Sequence, residues 1–434
     1  MPPMRLILTF LISCAILIRS ALCLTPAEAQ LRGHGGPIRA LAISADGATA
    51  LSGSFDTSAI RWSLRRNTAE QVLRFHEGAV NAVAILTGGR AVTAGEDARI
   101  AIWTPGRQEP DDVLEGHQGP IAALAVSPDG ATLASASWDR TIRLWPLSGG
   151  APQVLDGHQQ NVNGVAFTPD GKAVLSVGYD ATVHIWPLNG GGSPLVAPLP
   201  SPLNAVVAAP DGEIIAAGAD GKVYFLAPAG AQLYAVEASF TPITSLAISH
   251  NGERVAAASI GGSVVIIDRV ARTLARKLLG SGPPVWAVVF FLDNHTLLTG
   301  GADQMIRHWD STTGEPIGTI AIGGSGDPLA GYAGEPGAQV FHACVACHTL
   351  KPDEGNRVGP TLHGIFGRRI ATLAGYNFSE ALKRLDIVWT PDTVAKLFEI
   401  GPATYTPGTK MPEQRIGAPE DRDALVKFLE WATK

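Results

Sequence analysis

Cys344 and Cys347 stand two residues apart and are followed at once by His348. Two thiols at that spacing can form thioethers with the vinyl groups of a haem, while the adjacent imidazole ligates the iron from one face. The same run serves elsewhere as half of a zinc site, a redox dithiol or a disulfide. Zinc needs further Cys or His ligands at suitable spacing, and a thioredoxin-like dithiol needs a strand–helix–strand context; neither surrounds this run. Covalent haem attachment is the expected chemistry. For the second axial position, the only methionines beyond residue 29 are Met305 and Met411. Met305 falls in a repetitive region, whereas Met411 ends the turn-rich run Pro407-Gly408-Thr409-Lys410, which makes it the natural sulfur ligand. Its alternative role is filling a core gap, and His363 or His342 would compete as nitrogen ligands. Ligation by His348 and Met411 leaves the iron no open position, so such a centre passes single electrons rather than activating oxygen.

Elements must hold these groups in place. Pro419 with Glu420 and Asp421 starts a helix in the sense its dipole favours, and Leu425, Phe428, Leu429 and Ala432 trace one face at helical spacing. Ahead of the cysteines, residues 323–336 have the Gly/Pro-rich composition of a linker, whose span as a flexible coil is about 20 Å. At the other end, Arg5, the apolar run Leu6–Ile18 and the box Ala27-Glu28-Ala29 read as a secretory signal peptide covering 1–29. That run falls short of the ~20 residues that span a bilayer, so no transmembrane segment is expected after cleavage. Cys14 and Cys23 would leave with the signal, which excludes a disulfide-stapled core.

Most of the 434 residues repeat. Trp62, Trp103, Trp145 and Trp186 recur at intervals of 41, 42 and 41, and Trp309 follows 123 residues later, with Leu226 and Ile267 in the two missing phases. An Asp precedes each of these Trp residues by six positions. Between them, short alternating runs are punctuated by Asp-Gly and Asn-Gly turns, the grammar of hairpins. In four units a His, a Ser or Thr, the Asp and the Trp can bond in series: His34-Ser52-Asp56-Trp62, then His76-Thr93-Asp97-Trp103, His117-Ser135-Asp139-Trp145 and His158-Ser176-Asp180-Trp186. A Ser–His–Asp set repeated in phase is structural, not catalytic. The segment Glu315–Ile322 has a strand pattern, and Gln30–Arg32 is too short for a full strand. The former is therefore expected to supply the outer strand of the last unit.

With Gly33-His34, Gly116-His117, Gly157-His158 and the intact Trp309-Asp310, this region resembles the WD40 family, which implies an all-β seven-bladed propeller over 30–322. Residues 337–434 resemble small class I cytochromes c in the stretches Gly337–Leu350, Val358–Arg368, Ala374–Phe378, Ile387–Thr393 and Thr404–Met411. That resemblance implies a small all-α domain with one haem c, held by Cys344 and Cys347, with His348 and Met411 as axial ligands. It also implies that the Pro360 carbonyl accepts from the His348 Nδ1–H, that Arg368, Tyr376, Trp389 and Thr409 bond or shield the propionates, and that Gly337 and Phe341 lie where the terminal helices cross. Two features depart from the family: Leu397 or Phe398 stands where a tyrosine is common, and the lysine-rich docking face is missing, with 12 basic and 11 acidic residues over 337–434.

The whole chain has a formal charge of -6, and over 30–336 there are 19 basic against 27 acidic residues, which argues against nucleic-acid binding. The expected protein is a periplasmic mono-haem electron carrier, not an enzyme, with the propeller docking a redox partner. The alternative makes the propeller the substrate-binding or catalytic part of an oxidoreductase that uses the haem as electron outlet.

Overall fold

The computed structural model describes residues 30–434 apart from 189–191, 281, 318–328, 333, 342–343, 346, 357–358, 377, 410 and 412–413. The proposed signal peptide and the first half of the proposed linker lie outside the described residues.

Residues 30–317 form seven four-stranded antiparallel sheets. In blade one the strands Ile38–Ile43, Thr49–Ser54, Ser58–Ser63 and Thr68–Arg74 follow one another outward, and the next five blades repeat that order. Asp-Gly turns make the first hairpin of several blades, with Gly47, Gly130 and Gly171 at φ of 67, 70 and 68°, a conformation open to glycine at little steric cost. The innermost strands of neighbouring blades touch all the way round, and the ring closes between Ile38–Ile43 and Val285–Phe290. Each second strand is buried on both faces, so the cores are sandwiched between blades.

Blade seven corrects one expectation. Its outer strand is Gln30–Arg32, paired in register with Arg307–Met305. Three residues suffice because Leu31 is fully buried in the core of blades one and seven, so the short strand is anchored by a side chain as well as by backbone bonds. The described part of Glu315–Ile322 contributes only a bridge, Pro316 opposite Trp309, with the Ile317 amide donating to the His308 carbonyl at 3.0 Å. The closing blade is thereby tied to both ends of the propeller sequence.

The remaining chain is a small helical domain: α1 (Pro336–Phe341), α2 (Glu380–Lys383), α3 (Pro391–Ile400), α4 (Pro402–Tyr405) and α5 (Pro419–Ala432). Thr390 caps α3 in a reciprocal pair with Thr393, and Pro391 occupies its first turn. Buried Phe341, Val394, Phe398, Leu425 and Leu429 join the helices into one core. Within the coil expected over 323–336, the described residues 329–332 and 334–336 pack against the helical domain. Leu329 is buried in that core, and the Tyr332 ring meets Phe428 edge-on at 5.2 Å, two apolar anchors that a Gly/Pro count overlooks.

Candidate functional site

α1 and α5 cross so closely that a Cβ on Gly337 would lie 2.1 Å from the Ala424 carbonyl oxygen and 2.4 Å from the Phe428 Cβ. The crossing fixes the end of α1, where the Cys344 amide bonds the Phe341 carbonyl at 2.8 Å and the His348 amide bonds the Cys344 carbonyl at 2.9 Å. The Cys–X–X–Cys–His run is thus a single turn hung from the helix crossing. Its two thiols are both buried and not joined by a disulfide. Burial pushes the Cys344 thiol up to about 12, with Cys347 adding to the shift.

The turn aims His348 into a cleft. Its Nδ1 lies 2.7 Å from the Pro360 carbonyl, which can only accept, so Nδ1 carries the proton and Nε2 the lone pair. Gly359 makes room for the ring: a Cβ there would sit 2.5–2.9 Å from three imidazole atoms. His348, both cysteines and Met411 line one cavity of about 840 Å³, within the range of cofactor pockets. Its walls are mainly apolar, with Leu397 and Phe398 standing where the resemblance had offered a tyrosine. This donor set, two thiols and one oriented imidazole on an apolar slot with a thioether sulfur also lining it, fits a haem. His363 does not line the cavity, and His342 lies outside the described residues.

The other expected residues take these places. Pro360, Arg368, Tyr376, Trp389 and Thr409 all line the cavity. Arg368 donates to the carbonyls of Thr361 at 3.0 Å and His363 at 3.2 Å, which holds a cation at the cleft, and burial lowers its pKa. The Thr409 hydroxyl accepts from the Met411 amide at 3.1 Å and so shapes the turn that carries the sulfur. Burial raises the Tyr376 pKa.

One wall was not legible in the sequence. Glu70, Gln71, Val72, Gly106, Gln108 and Glu109, all from blades one and two, line the same cavity. Arg74 donates to the Met411 carbonyl, and the Gln414 amide donates to the Gly33 carbonyl at 3.0 Å. Cys347 belongs to the apolar cluster of blade one, with Leu31, Trp62, Ala69 and Val72. Sequence separations of more than 300 residues leave no local signal for such contacts.

The propeller's own polar sets assemble as chains. In each of the four, the His Nδ1 sits 2.7–2.9 Å from the Asp carboxylate and Nε2 sits 2.7–2.8 Å from the hydroxyl, which accepts from the indole N–H at 2.7–3.1 Å. Burial pushes the Asp97 carboxyl up, but the His76 hydrogen bond and charge and the Arg99 and Glu77 amides outweigh it and hold the group at about 2. Among the described residues, only His158, Asp180 and His184 bring three possible metal ligands within 4.8 Å of one another. Both His158 nitrogens are engaged, by Asp180 and Ser176, and the Asp180 oxygens accept from Gln159 and Thr182, so a metal would have to dismantle the chain.

Comparison with known proteins agrees with both halves. The family model "WD domain, G-beta repeat" matches residues 27–63, 108–146, 150–187, 230–268 and 272–310, and the model "Cytochrome c" matches 334–433. A cytochrome c of Cochliobolus lunatus is 46% identical over 99 residues, 23% of this chain and 91% of the relative. One from Arabidopsis thaliana is 46% identical over 99 residues, 23% of this chain and 88% of the relative. One from Gibberella zeae is 38% identical over 107 residues, 24% of this chain and the relative's whole length. No helix among the described residues is long and apolar enough to cross a membrane.

Proposed function

Because the chain belongs to the cytochrome c family through its C-terminal domain and carries a WD40 propeller ahead of it, we propose that it is a periplasmic single-electron carrier whose propeller holds the redox partner beside the haem. The cytochrome c domain carries covalently bound haem c and has an electron-transfer role, and the propeller is an interaction module. When bound, the haem supplies a one-electron iron couple.

The chain's residues do the rest. Cys344 and Cys347 would hold the group covalently. His348, its tautomer set by Pro360, and Met411, on the turn shaped by Thr409, would ligate the iron. Arg368, Tyr376, Trp389 and Thr409, which line the cavity, would hold and screen the propionates, and the apolar walls would keep water off the ring. Tethering keeps the carrier at a high effective concentration beside whatever the propeller binds. Export is supported by the basic, apolar and Ala-Glu-Ala segments of residues 1–29.

The observation that carries this reading is the single cavity bounded by His348, Met411 and both cysteines. A redox titration of the full chain is expected to show one electron per haem, and Met411→Ala is expected to lose the ferric charge-transfer band that reports sulfur ligation. Haem reduction by small organic substrates, without a protein partner, would defeat the carrier reading in favour of an oxidoreductase.

A further inference from the structure

The turn that carries Met411 is tied to the helical domain on both flanks. The Ser379 hydroxyl donates to the Gly408 carbonyl at 2.9 Å, and the Ile416 amide donates to the Phe398 carbonyl at 2.9 Å. Between those flanks the propeller takes hold. Arg74 donates to the Met411 carbonyl, and the Gln414 side-chain amide donates to the Gly33 carbonyl at 3.0 Å. The residue that bears the sulfur is therefore fixed from two directions. Its N–H goes to the Thr409 hydroxyl at 3.1 Å within the turn, while its C=O goes to a guanidinium 337 residues away in sequence.

Both propeller groups stand on a stiff base. Arg74 ends the outer strand Thr68–Arg74 of blade one, in register with Ser58 of the neighbouring strand. Gly33 presses on Trp62 so closely that a Cβ there would lie 2.9 Å from the indole, and Trp62 is itself fully buried and bonded to Ser52 at 2.7 Å. Cys347 joins the same apolar cluster as Trp62 and Val72, so blade one bears on the attachment turn as well. A guanidinium on a carbonyl makes a charge-assisted bond, and its planar fork fixes direction better than a flexible ammonium does. A sulfur ligand leaves iron only if the turn that carries it swings away. Swinging takes the Met411 carbonyl off Arg74, so the bond favours the closed turn and sets the fraction of molecules in which the sulfur is released.

We propose that Arg74 is a positioning residue for the Met411 ligand, so that blade one of the propeller holds the sulfur in place from outside the domain that bears it. The proposal rests on the reading of His348 and Met411 as axial ligands. Docking and ligation are then reciprocal: closing the sulfur onto its position strengthens docking by the same factor by which docking strengthens ligation.

The test uses the haem-loaded full chain in its ferric form with imidazole as the competing ligand, followed at the Soret band and at the charge-transfer band that reports sulfur ligation. Imidazole binds only where the sulfur has left, so its affinity reads the open fraction. Arg74→Met is expected to bind imidazole roughly tenfold tighter than the native chain, the factor that loss of a hydrogen bond to a charged group gives. Arg74→Lys is expected to recover part of the difference. In rapid mixing at saturating imidazole, the observed rate levels off at the rate of sulfur departure, and that plateau is expected to rise in Arg74→Met. Covalent haem by mass and an unchanged propeller unfolding midpoint qualify each variant as folded, and Arg74→Gln takes the place of Arg74→Met should the latter fail to fold. An unchanged imidazole affinity, no recovery in Arg74→Lys, or a tighter affinity with an unmoved plateau would overturn the proposal, the last because only access to the cleft has then changed. If the native chain shows the charge-transfer band and Arg74→Met matches it in affinity, the Met411 reading stands and only the role of Arg74 falls. If the native chain lacks the band, both fall.

Discussion

Gly337→Ala sets two physical effects against each other with opposite signs. Within a helix, Ala is favoured over Gly by about 0.5–1 kcal/mol because it restricts the unfolded chain. Here the new Cβ would lie 2.1 Å from the Ala424 oxygen and 2.4 Å from the Phe428 Cβ, whereas contacts under 3.0 Å essentially never occur, so α1 and α5 must part by about 1 Å. Neither obstacle is the far end of a flexible side chain, and close-packed helices resist such movement. Overpacking of this kind costs about 1–3 kcal/mol, and parting also loosens the Phe341–Phe428 contact at 5.7 Å. The cost exceeds the propensity gain, and the helical domain is expected to lose about 1–2 kcal/mol. Denaturant unfolding followed at the haem Soret band reads this domain separately from the propeller. An unchanged or raised midpoint would show that the crossing relaxes freely and would refute the argument.

The polar chains make a similar claim inside the blades. Ser52→Ala removes the partner of the Trp62 indole and of His34 Nε2, both buried, and is expected to cost about 2–5 kcal/mol of propeller stability by tryptophan fluorescence. His184, stacked on His158 at 3.9 Å, is lowered to about 4 by burial and then by the His158 charge. The unfolded state therefore takes up its proton first, so stability is full above about pH 6.5 and falls as pH drops toward 4, by about 1.4 kcal/mol per unit at most; His184→Gln should flatten that slope. Gln414→Ala strands the Gly33 carbonyl, and the weakened docking is expected to enlarge the maximum dimension in small-angle scattering.

What the sequence made legible follows from periodicity and chemistry. The four polar chains were readable because His34, Ser52, Asp56 and Trp62 recur in phase, and one repeat is interpreted by the others. Cys344, Cys347 and His348 were readable because attachment chemistry needs those atoms at adjacent positions. The outer strand of blade seven was misread because length was weighed and burial was not: Leu31 anchors a strand that its three residues would not suggest. The packed stretch through Leu329 and Tyr332 was lost in a composition average. Arg74 on Met411 and Gln414 on Gly33 join segments with no sequence relation, and only packing of the two domains shows them.

That packing has a consequence for how the molecule is made. Cys347 is buried beneath Trp62 and Val72, and Gln414, already bonded to Gly33, lies 3.9 Å from the Cys344 sulfur. Any ligase that joins cofactor to chain must reach both sulfurs, and a docked propeller stands across its approach. Attachment is therefore expected to precede docking, with the prosthetic group sewn in while the halves are apart and docking sealing the seam afterward.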